Sequence, residues 1–274
     1  QLYKLREQGL DVQVFEAGSD VGGTWYWNRY PGARVDIESM AYSFSFSEEL
    51  QQEWDWSEKY SPQPELLKYA QHIADRFDLK NHIAFNTRVA GAHFDEDADE
   101  WLVTTECGRR IRAQHLVMAT GVLSASKEPD IVGREHYKGD TYRTGLWPKE
   151  GVDFTGKRVA VIGTGSSAVQ AIPLIAEEAS KLVVYQRTAT FTTPALNHSL
   201  KKEDADAIKA NYGDYRATQK VNVLGVVNER SVDRAIDATS EERERRFTEG
   251  WESGILPGML FQFAALQVEQ EPHA

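Results

Sequence analysis

The chain has 274 residues, 41% of them hydrophobic, and a formal net charge of −11. That length and apolar content suit one large or two smaller packed domains and exclude a disordered chain. The negative balance argues against nucleic-acid and anionic-membrane surfaces, no apolar run is long enough to span a bilayer, and the single cysteine, Cys107, excludes an intrachain disulfide and suits a cytoplasmic, reducing location.

In chain order, Leu2 to Gln8 reads as a helix stopped by Gly9. Val12 to Glu16 alternates as a strand and ends in an acid. Residues 17–60 are rich in Gly, Trp, Tyr and Ser and read mainly as a long functional loop region. Leu66, Leu67, Ala70, Ile73, Ala74 and Phe77 recur at helical spacing, which predicts a helix from Pro64 to Phe77. Ile83 to Phe94 and Trp101 to Glu106 read as strands around an acidic turn, Asp95 to Glu100. Ile111 to Ala119 reads as a strand running into Thr120 and Gly121, small residues that suit a chain passing close to a ligand or crossing between domains. Residues 122–156, with Pro129, Pro148 and several glycines, read as a linker. Arg158 to Ile162 is a short apolar strand, followed by a glycine loop, a helix from Ala168 to about Ala179 and a strand from Leu182 to Tyr185. Residues 199–253 are charged and helical, with Thr239 and Glu242 as a capping box before Arg243 to Trp251. Trp54 and Trp56 read as loop packing. The histidines read as ordinary, with no pair at metal-ligand spacing.

Gly163-x-Gly165-x-x-Ala168 lies between a strand and a helix, the context that a dinucleotide loop requires. The first glycine permits the tight turn, the second lets a pyrophosphate reach the backbone, and the small third residue lets helix and strand pack closely. The helix start then offers its partial positive charge to the phosphates. Gly163, Thr164, Gly165, Ser166, Ser167 and Gln170 are the expected loop and first-turn contacts. The second strand ends in Gln186, Arg187 and Thr188 without an acid, so Arg187 can pair with a 2′-phosphate, which favours NADP over NAD. Glu16 has the opposite chemistry, a strand-end carboxylate suited to free ribose hydroxyls. Gly22, Gly23 and Trp25 follow it and add close backbone approach and flat apolar surface. Two nucleotide units with opposite strand-end chemistry point to FAD and NADP, hence to a flavoprotein oxidoreductase. Counting back from Glu16 for the glycine loop of that first unit runs off the N-terminus, so its first strand and loop are expected outside this chain.

The whole chain resembles the flavin-dependent Baeyer–Villiger monooxygenases. Their run Gly-Gly-x-Trp, Tyr-Pro-Gly, then Asp is matched by Gly22, Gly23, Trp25, Tyr30, Pro31, Gly32 and Asp36. Their linker pattern Phe-x-Gly-x-x-x-His-x-x-x-Trp is met in spacing by Tyr137, Gly139, Arg143 and Trp147, with Tyr for Phe and Arg for His. Arg143 stays charged where a His would titrate near neutral pH, so any pH-linked role of that His is in doubt here. The resemblance implies that NADPH reduces FAD, that the reduced flavin forms a C4a-peroxide with O₂, and that this attacks a ketone to give an ester or lactone. It implies that Asp36 orients a mobile arginine which stabilises the reactive species, that Arg34 and Val35 lie near the nicotinamide cofactor, and that Thr24, Trp25, Tyr42, Val89 and Thr120 line FAD. That arginine and the last flavin-binding segment are not in this chain, so the resemblance covers the middle of such an enzyme, cut at both ends. Alone, the chain is expected to bind NADPH weakly and FAD poorly, without turnover.

The expected fold is α/β, with two Rossmann-like dinucleotide-binding domains on parallel sheets and a helical insertion. The expected division is an incomplete FAD domain over 1–121, a linker over 122–156, a partial NADP domain over 157–198 and the helical insertion over 199–274. An N- or S-oxygenating flavin monooxygenase and a non-catalytic NADP-binding fragment are the alternative functions.

Overall fold

The structure, a computed structural model, describes residues 1–123, 125–189, 192–222, 225, 233–252, 254 and 263. The polar end from Glu269 to Ala274 and most of the chain beyond 252 lie outside the described residues. In chain order the helices are α1 Leu2–Glu7, α2 Thr24–Trp27, α3 Ser39–Tyr42, α4 Glu48–Glu53, α5 Gln63–Arg76, α6 Ser166–Glu178, α7 Lys202–Ala210, α8 Tyr212–Val221 and α9 Ser240–Glu252. The strands are β1 Val14–Phe15, β2 Ile83–Ala84, β3 Val89–Asp95, β4 Glu100–Thr105, β5 Arg110–Ala113, β6 Arg158–Ile162 and β7 Lys181–Tyr185. The chain is mixed α/β and divides into two compact units: Gln1–Ala33 with Gln63–Val161 and Ser166–Val183, and Arg34–Pro62 with Ile162–Gly165 and Val184–Ala274.

In the first unit β1 pairs with β2 in parallel, Val14 opposite Ile83 and Phe15 opposite Ala84. The helix α5 between them is the amphipathic element that the periodicity predicts, burying Leu66, Tyr69, Ile73 and Ala74. It ends at Arg76; Asp78, with φ +50°, then turns the chain away, and the Leu79 N–H donates to the Ala74 carbonyl at 2.8 Å. The predicted strand Ile83 to Phe94 is two strands. Asn86, at φ +52°, reverses the chain after β2, and its N–H donates to Gly18 O while Thr87 N–H donates to Glu16 O. β3, β4 and β5 then form an antiparallel meander with a bulge between Val89 and Gly91. The predicted strand Ile111 to Ala119 also needs correction. β5 ends at Ala113, and residues 115–120 pair with no strand among the described residues, so Met118 stands 75% exposed. β-prone side chains without a neighbouring strand lack the ladder that would hold them extended.

β6 and β7 form a two-stranded sheet. The glycine-loop helix α6 starts at Ser166, two residues earlier than its predicted start, and buries Ala171 and Ile175 against Phe154, with Tyr30, Trp147, Val159, Val161 and Leu182 around them. One face of a short apolar strand and one stripe of a helix thereby share one core.

Residues 17–60 are mainly loop, as expected, but carry the short helices α2, α3 and α4. In the second unit α3, α4 and α8 pack around Met40, Leu50, Trp56 and Tyr212. Arg216 on α8 donates to the carbonyls of Ala41 and Ser43 at 3.0 Å, binding the orphan acceptors at the end of α3. Trp54 and Trp56 pack edge to face at 5.7 Å, and the Trp56 indole donates to Ser43 Oγ at 2.8 Å. Thr239 does cap α9, accepting the Glu242 N–H at 3.2 Å, but the reciprocal half of the capping box is different. The Glu242 carboxylate accepts from Arg245 and Arg246 instead.

Candidate functional site

The glycine loop lies in the second unit, between β6 and α6. Gly163 has φ +103°, a conformation that side chains resist, and its N–H donates to Tyr185 O at 2.9 Å, which ties the loop to the end of β7. Among the described residues, no atom beyond the adjacent residues lies within 4 Å of where a Cβ on Gly163 or Gly165 would stand, so the backbone there faces open space. Thr164 Oγ1 accepts from the Gln186 amide at 2.8 Å, which fixes the loop against the residue next to Arg187. Arg187 and Thr188 are exposed, and Arg187 makes no ion pair among the described residues, so its guanidinium keeps its donors for an anion. Ser166, Ser167 and Gln170 occupy the first two turns of α6.

The second unit also holds Arg34, Val35 and Asp36. Arg34 forms an antiparallel bridge with Pro62, and the Val35 N–H donates to Ser61 O at 3.1 Å. The Arg34 guanidinium donates to Glu58 Oε2 at 2.9 Å and to Tyr60 O at 3.2 Å. Glu58 Oε2 also accepts from the Asn197 amide, whose oxygen takes the Tyr60 N–H at 2.9 Å. Val35 is buried, whereas Asp36 is exposed, its carboxylate open to a ligand or a mobile cation. Glu58 and Asn197 were not legible in the sequence, because Glu58 meets Arg34 across 24 residues and Asn197 meets Glu58 across 139. Tyr42, at the end of α3, is exposed and is no core residue.

In the first unit Glu16 follows β1, and its Oε1 accepts the Gly18 N–H at 2.6 Å, a turn that fixes the carboxylate at the strand end. The paired glycines differ in purpose. A Cβ on Gly22, at φ +127°, would meet Leu67 at 2.5 Å, so this glycine serves packing. Gly23, at φ +51°, faces open space at the start of α2 and is the one that leaves room for a ligand. Thr24 and Trp25 form the first turn of α2, and the Trp25 carbonyl accepts from the Gln63 amide. Tyr26, next on that helix, accepts Lys149 Nζ at 3.0 Å and the Ser19 N–H at 3.0 Å. These donors, Lys149 first, lower its phenol to about 8. Val89, Thr120 and Gly121 are exposed, Gly121 with φ +71°.

The Tyr-Pro-Gly turn seats on α6. Tyr30 Oη donates to Gln170 Oε1 at 2.9 Å, and Gly32 lies against the Gln170 carbonyl. Arg143, the residue in the His position of the linker pattern, pairs with Glu128 at 2.8 Å. Glu128, held also by Arg134, titrates below the usual carboxylate range. Among the described residues no group of three or more His, Cys, Asp or Glu could hold a metal, and no helix is long and apolar enough to cross a membrane.

A strand-loop-helix with open glycines, a strand-end arginine and a second, acid-ended strand is the equipment of a two-nucleotide oxidoreductase. The chain belongs to the pyridine nucleotide-disulphide oxidoreductase family, whose profile matches residues 3–250. Among its relatives is a Baeyer-Villiger monooxygenase from Pseudooceanicola batsensis, 43% identical over 96% of this chain and 48% of the relative. A phenazine N-monooxygenase from Lysobacter antibioticus is 41% identical over 96% of this chain and 48% of its own. The crystal structure of OTEMO complexed with FAD and NADP superposes with a TM-score of 0.94 at 39% identity, over 99% of this chain and 52% of that one. The chain spans about half the length of the relatives it matches.

Proposed function

We propose that this chain is the cofactor-handling part of an FAD- and NADPH-dependent Baeyer–Villiger monooxygenase, which uses O₂ to convert a ketone to an ester or lactone. The observation that carries this reading is the run from Gly22 to Asp36, kept intact in a chain 43% identical to a Baeyer-Villiger monooxygenase across nearly all its length. Glu16 and Gly23 would hold FAD, with Thr24, Trp25, Tyr42, Val89, Thr120 and Gly121 around it. Gly163 to Ser167, Gln170, Arg187, Thr188, Arg34 and Val35 would hold NADP. The flavin, once reduced by NADPH, supplies the oxygen activation, and the protein binds and orients. Asp36 contributes a carboxylate that fixes a cation near the reacting atoms, and fixed charge of this kind is a large catalytic term. Arg143 belongs to the linker, where it pairs with Glu128. The functional division follows 1–121, 122–156, 157–198 and 199–274, and a cytoplasmic setting suits the exposed, single Cys107.

The test is Asp36→Ala in a chain extended to the length of the relatives. The variant should keep its yellow flavin band and lose ester formation from a ketone panel; normal ester yield would refute the role of Asp36. N-oxygenation is the second reading, favoured by the phenazine N-monooxygenase relative at 41% identity. Product mass spectra from ketone, sulfide and heteroaromatic amine panels separate the two.

A further inference from the structure

We propose that the cavity between helix α5 and the stretch from Pro148 to Gly151 is a binding site for a small organic phosphate, held by Arg29, Lys68 and Lys149. The cavity lies wholly within the first unit and has a volume of about 400 Å³, within the range of small-molecule sites. Its charged lining is cationic throughout: Arg29, Lys68 and Lys149 contribute to it, and among the described residues no Asp or Glu does. None of the three cations has an ion-pair partner among the described residues. In a chain with 42 acidic and 31 basic side chains, composition alone would put carboxylates beside such a group, so the arrangement runs against the overall balance. The proposed flavin and nicotinamide residues include none of these three.

Two of the cations are held together by one buried ring. Lys149 Nζ lies 5.0 Å from the centroid of Tyr26, and the Arg29 guanidinium lies 5.2 Å from the same point. Nζ also donates to Tyr26 Oη at 3.0 Å, and the guanidinium donates to the Tyr26 carbonyl. Tyr26 is only 7% exposed, so the core fixes this anchor. Charges so placed lie within about one Debye length of each other, and their repulsion is not fully screened. A bound anion relieves it. The guanidinium fork matches two oxygens of a phosphate, and the two ammonium groups supply point charge for a dianion. Lys68 stands exposed on α5, one turn beyond Pro64. The neutral amides of the lining are engaged elsewhere: Gln63 donates to the Trp25 carbonyl and Gln71 to Asp20 at 2.8 Å. Pro64, Leu67 and Pro148 complete the wall with apolar surface. Cations at one part and apolar surface at another suit a phosphate monoester with a small apolar body.

The experiment is calorimetric titration of the 274-residue chain with phenyl phosphate, inorganic phosphate and the uncharged benzyl alcohol. Phenyl phosphate should bind at one site and more tightly than inorganic phosphate, and benzyl alcohol should not bind. Lys68→Met and Lys149→Met should each weaken phenyl phosphate by about three- to tenfold, the range of a charge-assisted hydrogen bond reduced by solvent exposure. Lys68→Arg keeps the charge and should stay within about twofold of the wild type. Lys68 is exposed, so Lys68→Met should keep the unfolding midpoint, which separates a lost site from a lost fold. Saturating NADP or FAD should leave the phenyl phosphate affinity unchanged. No binding of phenyl phosphate by the wild type, wild-type affinity in both methionine variants, or equal binding of benzyl alcohol overturns the proposal. So does a loss in Lys68→Arg as large as that in Lys68→Met, because charge would then not be what binds. Inorganic phosphate binding as tightly as phenyl phosphate overturns the monoester assignment. Displacement by NADP or FAD gives the cations to a cofactor and overturns the proposal as well.

Discussion

Gly32 and Gln170 touch backbone to backbone: a Cβ at residue 32 would stand 2.4 Å from the Gln170 carbonyl oxygen and 3.3 Å from Leu174. Glycine is required there twice over, because φ is also +76°. Gly32→Ala is expected to destabilise the fold by roughly 2 to 4 kcal/mol, combining left-handed strain with an overpacked contact. Urea unfolding with unchanged slope and a lower midpoint would show it. An unaltered midpoint would mean that the turn can lift off α6 at no cost.

Arg34 is held by Glu58 before any cofactor contact. Both side chains are about one-third exposed, 32% and 31%, so the ion pair itself is weak. Glu58 also serves Asn197, and its loss frees two partners at once. Glu58→Ala should therefore cost about 1 kcal/mol of stability, at the level of a single charged hydrogen bond. The measurement is the unfolding midpoint of Glu58→Ala beside that of Glu58→Gln, which keeps an acceptor and should lose less. Equal losses would remove the hydrogen-bonding account.

Tyr26 titrates at about 8, below the ordinary phenol, because Lys149 and Ser19 donate to its oxygen. Between pH 8 and 10 the folded chain has released this proton and the unfolded chain has not, so stability rises with pH over that window. The contribution is complete above about pH 10 and is lost as pH falls through 8. Absorbance at the phenolate band should show one tyrosine ionising near pH 8, and Lys149→Met should return it toward the ordinary value. A wild-type titration with no early tyrosine would remove the effect.

Arg187, exposed and without an ion pair among the described residues, is the residue proposed to meet a 2′-phosphate. Arg187→Ala should weaken NADP by about ten- to a hundredfold, the range for a charge-assisted, bidentate contact, and change NAD little. Competition titrations with the two cofactors measure the ratio. An unchanged preference would take Arg187 out of the site.

The parts of this molecule governed by local rules were legible in advance. Helix α5 announces itself through Leu66, Ile73 and Ala74 at helical spacing, and Gly163, Gly165 and Ala168 declare a loop whose flanking strand and helix are next to it in the chain. What stayed hidden depends on distant partners. The break at Asn86 exists because β2 pairs with β1 while β3 pairs with β4, and no window of sequence around residue 86 contains those partners. The run from His115 to Thr120 has the composition of a strand and, among the described residues, no strand beside it. Gly22 and Gly23 look alike in sequence, and only Leu67, packed against the first, tells their purposes apart. The same holds for Arg143, whose Glu128 partner lies 15 residues upstream with no spacing rule to mark it.

Val122 and Val132 stand 97% and 100% exposed, and Met118 is close behind at 75%. Exposed apolar side chains of this kind favour association when two molecules meet, and the formal net charge of −11 opposes it. Mild acid, by neutralising carboxylates, should cloud a concentrated sample before it melts a single helix, and the same sample should stay clear in alkali.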